Sequence, residues 1–356
     1  MDIIAHNGAV VKVYINNHAA KSAVLRTASK QRRAAIMADK IKPIKVRWTE
    51  HKRLAVAVGE RLIKAGLEKR GQNIKMCGNQ IVFRECRDCG HMVIERAMLC
   101  RDRLCPVCNW RLALKRYSTM QQIMDVVLQR IPEGIDMALM TLTVRNCAPE
   151  EISEHLSKMQ RAWNRMLAQR YIRPHVMGWA RSIEVTYNEQ THTLHPHYHI
   201  IMLAPTLAQE TIRADWLKQC RAEGLEVDIK AQHAQQIDGA RTEGDTLIKS
   251  ILECYKYMVK ASDTIAMSLG VLRHFAAGVA GKRLVSFGGI IKDVARELGE
   301  VQLDSPDALD QDIIVCTRCK STELDRVIAD WSFAGNHYQS ISQPDTSIYH
   351  VETWDA

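Results

Sequence analysis

Three histidines alternate in the stretch His195-Pro196-His197-Tyr198-His199, and an apolar run, Ile200-Ile201-Met202, follows them. Side chains two apart on a strand share a face, so His195, His197 and His199 project together while Tyr198, Ile200 and Met202 point the other way. Upstream, residues 179–188 (WARSIEVTYN) alternate Ile183, Val185 and Tyr187 against Ser182, Glu184 and Thr186, again the period of a strand. A seven-residue polar connection links the two stretches into a hairpin. A near-symmetric register sets Glu184 close to His197 and His199. Two imidazoles and a carboxylate suit Mg2+, Mn2+ or Zn2+, with positions left open for water or a phosphate oxygen.

A metal alone names no reaction, and the nucleophile has to come from elsewhere. In residues 245–260 (DTLIKSILECYKYMVK) Asp245 can cap a helix whose apolar stripe is Leu247, Ile248, Ile251, Leu252, Tyr255, Met258 and Val259. Tyr255 therefore reads as core. Glu253, Lys256, Tyr257 and Lys260 take the opposite side, with Glu253 and Tyr257 adjoining at i, i+4. By itself this is a solvated face carrying a tyrosine. Beside a metal-polarised phosphodiester, the Tyr257 hydroxyl can attack phosphorus, Lys260 can stabilise charge on the phenolate or phosphate, and Glu253 can activate water.

The chain has 11 cysteines. Cys86 and Cys89 form one C-x-x-C pair, Cys105 and Cys108 another, and the spacing between them lets two knuckles converge on one tetrahedral zinc. Cys100 and His91 add candidates beyond the four ligands such a site takes, so four of Cys86, Cys89, Cys100, Cys105 and Cys108 are expected to hold structural Zn2+, with an unligated buried cysteine among them. Cys316 and Cys319 have no partner pair nearby in the sequence and are not read as a metal site.

Several elements must position these groups. Residues 137–146 (MALMTLTVRN) read as a buried strand, and a helix containing Trp163 follows to about Gln169. Between Thr49 and Lys69, Leu54, Val58, Leu62, Ile63 and Leu67 recur at helical spacing among basic residues, which predicts one amphipathic basic helix. Residues 1–75 hold 17 Lys and Arg against 5 Asp and Glu, whereas residues 301–356 hold 3 against 10. So local an excess of positive charge points to a polyanion partner. No stretch has the continuous apolar run of a signal peptide or a bilayer span, so a cytoplasmic protein without a membrane partner is expected.

With these motifs in hand, the sequence resembles the HUH (His-hydrophobic-His) endonucleases, and more closely the single-tyrosine rolling-circle plasmid replication initiators. The resemblance runs from about Cys100 to Asp293 through LCRDRLCPVCNWRLALKR, TLTVRN, HPHYHIIM, ECYKYMVK and GKRLVSFGG, in that order. It implies metal ligation by His197 and His199, with Glu184 as third ligand, a position that varies among these enzymes, and His195 secondary, orienting or contacting DNA. Tyr257 matches the nucleophile and Glu253 the acid that activates water at termination.

The implied activity is metal-dependent nicking and joining of one strand at the plasmid's double-strand origin in a bacterial cell. It would pass through a 5′-phosphotyrosine and leave a 3′-OH primer. Implied partners are origin DNA, a host helicase and a host DNA polymerase, and self-association is compatible with this reading. The implied fold is α+β, an antiparallel sheet of about five strands flanked by helices and preceded by a small zinc-binding module. The expected division is 1–76 basic DNA-binding region, 77–116 cysteine-rich module, 117–300 nicking domain and 301–356 acidic tail.

Two alternatives remain. A transposase of the same superfamily typically carries two tyrosines on one helix face, whereas Tyr255 and Tyr257 stand roughly 200° apart around a helix. A zinc-containing DNA-binding regulator would use the histidines structurally and form no covalent adduct.

Overall fold

A computed structural model describes residues 44–237, 244–255, 259–299, 309–310, 315–316, 318–342 and 350–353. All of them belong to one compact unit, Pro43–Ala356. Its strands are β1 (Gln80–Cys86), β2 (Met92–Ala97), β3 (Asp136–Thr143), β4 (Gly178–Asn188), β5 (Thr193–Ala204), β6 (His233–Gln236), β7 (Val285–Gly288), β8 (Leu309–Asp310), β9 (Leu324–Ser332), β10 (His337–Ser342) and β11 (His350–Thr353). They form two antiparallel sheets, one of five strands in the order β6-β3-β5-β4-β7 and one of six in the order β11-β10-β9-β1-β2-β8.

The five-stranded sheet is closed by helices on both faces. On one face Tyr198, Ile200 and Met202 pack with Trp163 of helix Ile152–Ala168 and Trp216 of helix Thr206–Ala222; the Tyr198 ring lies 6.1 Å from Trp163 and 5.6 Å from Trp216. The other face takes the alternate residues of β5, His195, His197, His199, Ile201 and Leu203. Helices Gly244–Cys254 and Gly289–Glu297 lie against β5 and β4, and helix Pro106–Arg130 packs on both of these helices. Because β5 is central and covered twice, it is apolar from Ile200 through Ala204 on both sides, and polarity survives only where the histidines stand.

Where a single helix was expected over Thr49–Lys69, two form: Ile44–Lys64 and Glu68–Met76. Gly66, at φ 80°, makes the break. A left-handed residue there lets the Leu67 N–H return to the Leu62 carbonyl, which ends the first helix. The pair then crosses where glycine faces glycine, since a Cβ at Gly71 would stand 2.5 Å from the Gly59 carbonyl oxygen. Gly71→Ala is expected to force the helices apart and lower stability by about 1–3 kcal/mol, the usual cost of overpacking. Urea unfolding with an unchanged midpoint would show that the crossing can yield. These helices carry much of the basic charge of residues 1–76, yet Trp48, Ala55, Val58, Leu62 and Ile74 are buried core.

The stretch set apart by its acidic charge does not stand alone. β9 pairs with β1 along seven residues, from Gln80↔Asp330 to Cys86↔Leu324, and β10 extends the same sheet. Its charge is matched locally: Arg87 donates to both oxygens of Asp325, at 2.8 and 2.9 Å, and Arg326 bridges to Glu95 of β2 at 3.5 Å. Strands β1 and β2 of the cysteine-rich segment and the described C-terminal strands thus belong to one sheet.

Candidate functional site

Hairpin register places the central group. β4 and β5 pair with Glu184 opposite His197, Ser182 opposite His199 and Thr186 opposite His195, and only residues 189–192 separate the strands, a shorter connection than the sequence suggests. On its other flank β5 sets His199 opposite Thr141 and His197 opposite Thr143. A directly paired Glu184 and His197, with His199 on the diagonal, are within side-chain reach across a strand pair. Accordingly Glu184 Oε2 lies 2.8 Å from His199 Nε2 and 3.3 Å from His197 Nε2. Exposure is 9%, 8% and 7% for Glu184, His197 and His199.

Burial pushes the Glu184 carboxyl up, but the hydrogen bonds and charge of both imidazoles outweigh it and hold the group below the usual carboxylate range. An ionised carboxylate so placed supplies the charge a divalent cation needs. The far nitrogens are also engaged: Thr141 Oγ1 is 3.3 Å from His199 Nδ1, and the His195 carbonyl is 3.4 Å from His197 Nδ1. Such contacts orient imidazoles so that Nε2 faces the centre. Glu184, His197 and His199 each direct one ligand atom into a space where all lie within 4.8 Å of one another, a group able to hold a metal ion. His195 stands beside it, its ring 5.4 Å from that of His197, and burial, then the charge of His197, lowers its pKa.

Helix Gly244–Cys254 lies against β5, with Cys254 at the Ile201 backbone, on the histidine face. It brings half-buried Glu253 to this side of the sheet, outside the three-residue group. Tyr255 is 2% exposed. Tyr257 lies outside the described residues. The helix expected to continue to Lys260 ends at Cys254, and Lys260 is instead the exposed residue preceding a new helix, Ala261–Ala266.

The two C-x-x-C pairs of residues 86–108 do not share a site. Cys86 and Cys89 gather with Cys316 and Cys319, while Cys105 and Cys108 gather with Cys77 and Cys100. The separation follows from β1 pairing with β9, which carries the end of β1 to the distant pair. Both sets keep free thiols at nonbonded separations: Cys77–Cys108 at 3.5 Å, Cys100–Cys108 at 3.7 Å, Cys86–Cys319 at 3.4 Å and Cys89–Cys316 at 3.7 Å. Ligands about 2.3 Å from a tetrahedral zinc stand about 3.8 Å apart, so both sets match its edges. All five cysteines proposed from the first segment find a place, and none is a surplus buried thiol.

Each knuckle of the first set is built alike. Gly90 and Lys320, the residues after Cys89 and Cys319, have φ of 62° and 65°, and their N–H groups return to the Cys86 and Cys316 carbonyls at 2.8 and 2.9 Å. In the second set the Cys100 and Arg101 N–H groups point at Cys77 and Cys108 sulfurs, at 3.4 and 3.2 Å. Lys52, fully buried, donates to the Cys77 carbonyl at 2.9 Å. Burial pulls its ammonium down to about 8, against the charge of the neighbouring cysteines, which raises it. Sequence reasoning missed Cys77 and the role of Cys316–Cys319; the surplus of candidate ligands beside an unpartnered pair was the available signal.

Residues 91–339 match the family described as Replication protein. A Protein rep of Lactiplantibacillus plantarum is 31% identical over 324 residues, covering 85% of this chain and 98% of that one. The chain belongs to the replication protein family. Two further relatives, each a Protein rep, come from Streptococcus pneumoniae, 26% identical over 85% of this chain and 95% of the relative, and Lentilactobacillus hilgardii, 29% identical over 76% and 87%. No solved structure matches the chain. The family match begins at His91 and ends at Gln339, so it spans the histidine hairpin, the Glu253 helix, and both Cys316–Cys319 and β9. Among the described residues of this replication protein family member, no helix is long and apolar enough to cross a membrane.

Proposed function

We propose that the protein initiates plasmid rolling-circle replication as an HUH-type nicking and joining enzyme. The observation that carries this reading is the convergence of Glu184, His197 and His199 on one face of a central strand, in a member of the replication protein family. Mg2+ or Mn2+ held by the two Nε2 atoms and a Glu184 oxygen would polarise the scissile phosphodiester at the origin. The Tyr257 hydroxyl attacks phosphorus and gives up its proton. The new bond joins Tyr257 to the 5′-phosphate, and the broken P–O bond leaves a 3′-OH for the host polymerase. Lys260 offsets charge as the phosphate transfers, and Glu253 removes a proton from water when the cycle terminates. His195, beside the ligands, contacts the strand. A host helicase opens the duplex ahead of the primer. Both four-cysteine sets hold structural zinc.

Incubating the protein with a supercoiled plasmid that carries its own gene and flanking DNA, with Mg2+ or Mn2+, tests the reading. A metal-dependent nick with DNA linked through Tyr257 on peptide mapping is expected. Binding of an intact origin with neither nick nor adduct would replace the enzyme by a DNA-binding regulator.

Residues 1–42 hold 8 Lys and Arg against 2 Asp and Glu, a concentrated source of positive charge for phosphate contacts. Their removal is expected to weaken origin binding and to flatten its dependence on salt, because each lost phosphate contact lowers the slope by about 0.9. An unchanged slope in a salt titration would place the phosphate contacts in the folded unit.

A further inference from the structure

We propose a second nucleotide-binding site on the opposite face of β4 from the metal group, which takes a phosphate and its base from a single-stranded DNA segment or a free nucleotide. The cavity there has a volume of about 600 Å3, within the range of about 300–1,000 Å3 typical of small-ligand sites. Trp179, Arg181 and Ile183 of β4 line it from the sheet, alternating with the Ala180, Ser182 and Glu184 positions that face the histidine side. Gln160, Arg161 and Asn164 of helix Ile152–Ala168 face it across the cavity, whose rim carries Lys282, Arg283 and Ser286. The last three come from GKRLVSFGG, a segment the nicking chemistry leaves without a role.

The lining is cationic and contains no carboxylate. Arg181 is the decisive residue. It is 1% exposed, and its Nη2 donates to Gln160 Oε1 at 2.6 Å and Ser286 Oγ at 3.0 Å, yet its Nε and Nη1 find no hydrogen-bond partner among the described residues. Its guanidinium lies 4.3 Å from the ring of Tyr198 and 5.2 Å from that of Trp163. No acid among the described residues neutralises it, and Arg283 adds a second positive charge nearby. A buried cation with unused donors, faced by another cation at an open mouth, is completed by an anion. The part-buried ring of Trp179 gives that anion a character beyond bare phosphate, because bases stack on such a face. Shape and charge together fit a nucleotide.

The test uses the full chain with no added Mg2+ or Mn2+, so that strand cleavage cannot intervene, the cysteine sets keep their zinc, and failure of the nicking reading leaves it unaffected. An oligonucleotide bearing 5-iodouracil is photocrosslinked and the adducts are mapped by mass spectrometry. Crosslinks to Trp179 are expected, reduced at least about fivefold in Arg283→Ala and in Arg283→Glu, two variants whose folding is checked by thermal melting. Competition by thymidine monophosphate as strong as by unmodified oligonucleotide would make the occupant a free nucleotide; competition by the oligonucleotide alone would make it a strand. Adducts confined to other segments, or adducts at Trp179 undiminished in Arg283→Glu, would overturn the site.

Discussion

Tyr257→Phe is expected to abolish strand cleavage, by more than about a thousandfold, while origin binding and Mn2+ binding stay at the wild-type level. Phenylalanine keeps the ring and loses only the oxygen that would bond to phosphorus, so no other group can form the covalent intermediate. Glu184, His197 and His199, the group able to hold the metal, sit on β4 and β5, and their Nε2 and carboxylate atoms converge without help from helix Gly244–Cys254. Tyr255→Phe is the comparison: with 2% exposure its side chain is part of the core, and removal of its hydroxyl is expected to leave cleavage largely intact. Gel assays of nicking, together with filter binding and Mn2+ titration, separate the three quantities. Wild-type cleavage by Tyr257→Phe would move the nucleophile elsewhere and take the phosphotyrosine pathway with it.

How far the site could be read from sequence depends on whether its geometry is local. A strand has a period of two, so the alternating histidines declare a shared face, and a short polar connection brings Glu184 of the preceding strand into register with them. Nothing beyond one hairpin is required. The tyrosine helix is less transparent, because helical spacing continues to Lys260 in the sequence while the helix stops at Cys254. Apolar periodicity records which residues want burial, not where the backbone turns.

The cysteines show the opposite limit. A C-x-x-C pair is half of a tetrahedral site, and its spacing contains no information on which other half completes it. Cys86 and Cys316 are brought together by the ladder between β1 and β9, a pairing across more than 200 residues with the whole five-stranded sheet between. The C-terminal strands themselves carry a legible alternation, with Val327, Ala329 and Trp331 buried in turn. Their net negative charge hides it. Asp325 is acidic because it faces Arg87, so a sum of charge along the segment describes a pairing as if it were a tail.

Metal analysis is therefore expected to find two zinc ions per chain, one of which Cys316→Ser removes. Serine cannot supply the soft thiolate, and three remaining sulfurs hold zinc much less tightly than four. The Cys316 thiol is held down to about 5, chiefly by the backbone N–H of Cys319, so this one sulfur of the set is favoured as thiolate. Loss of this ion unfastens the Cys86–Cys89 turn from the C-terminal segment, and a destabilisation of more than about 4 kcal/mol is expected in denaturant unfolding. Cys105→Ser should remove the other ion. Cys147, Cys220 and Cys254 belong to neither set, so serine at any of them should keep both. Retention of two ions by Cys316→Ser would take Cys316 out of the ligand set, and β9 would then be held to β1 and β2 by its hydrogen bonds, by the ion pairs Arg87–Asp325 and Arg326–Glu95, and by Trp331 and Tyr338 in the core.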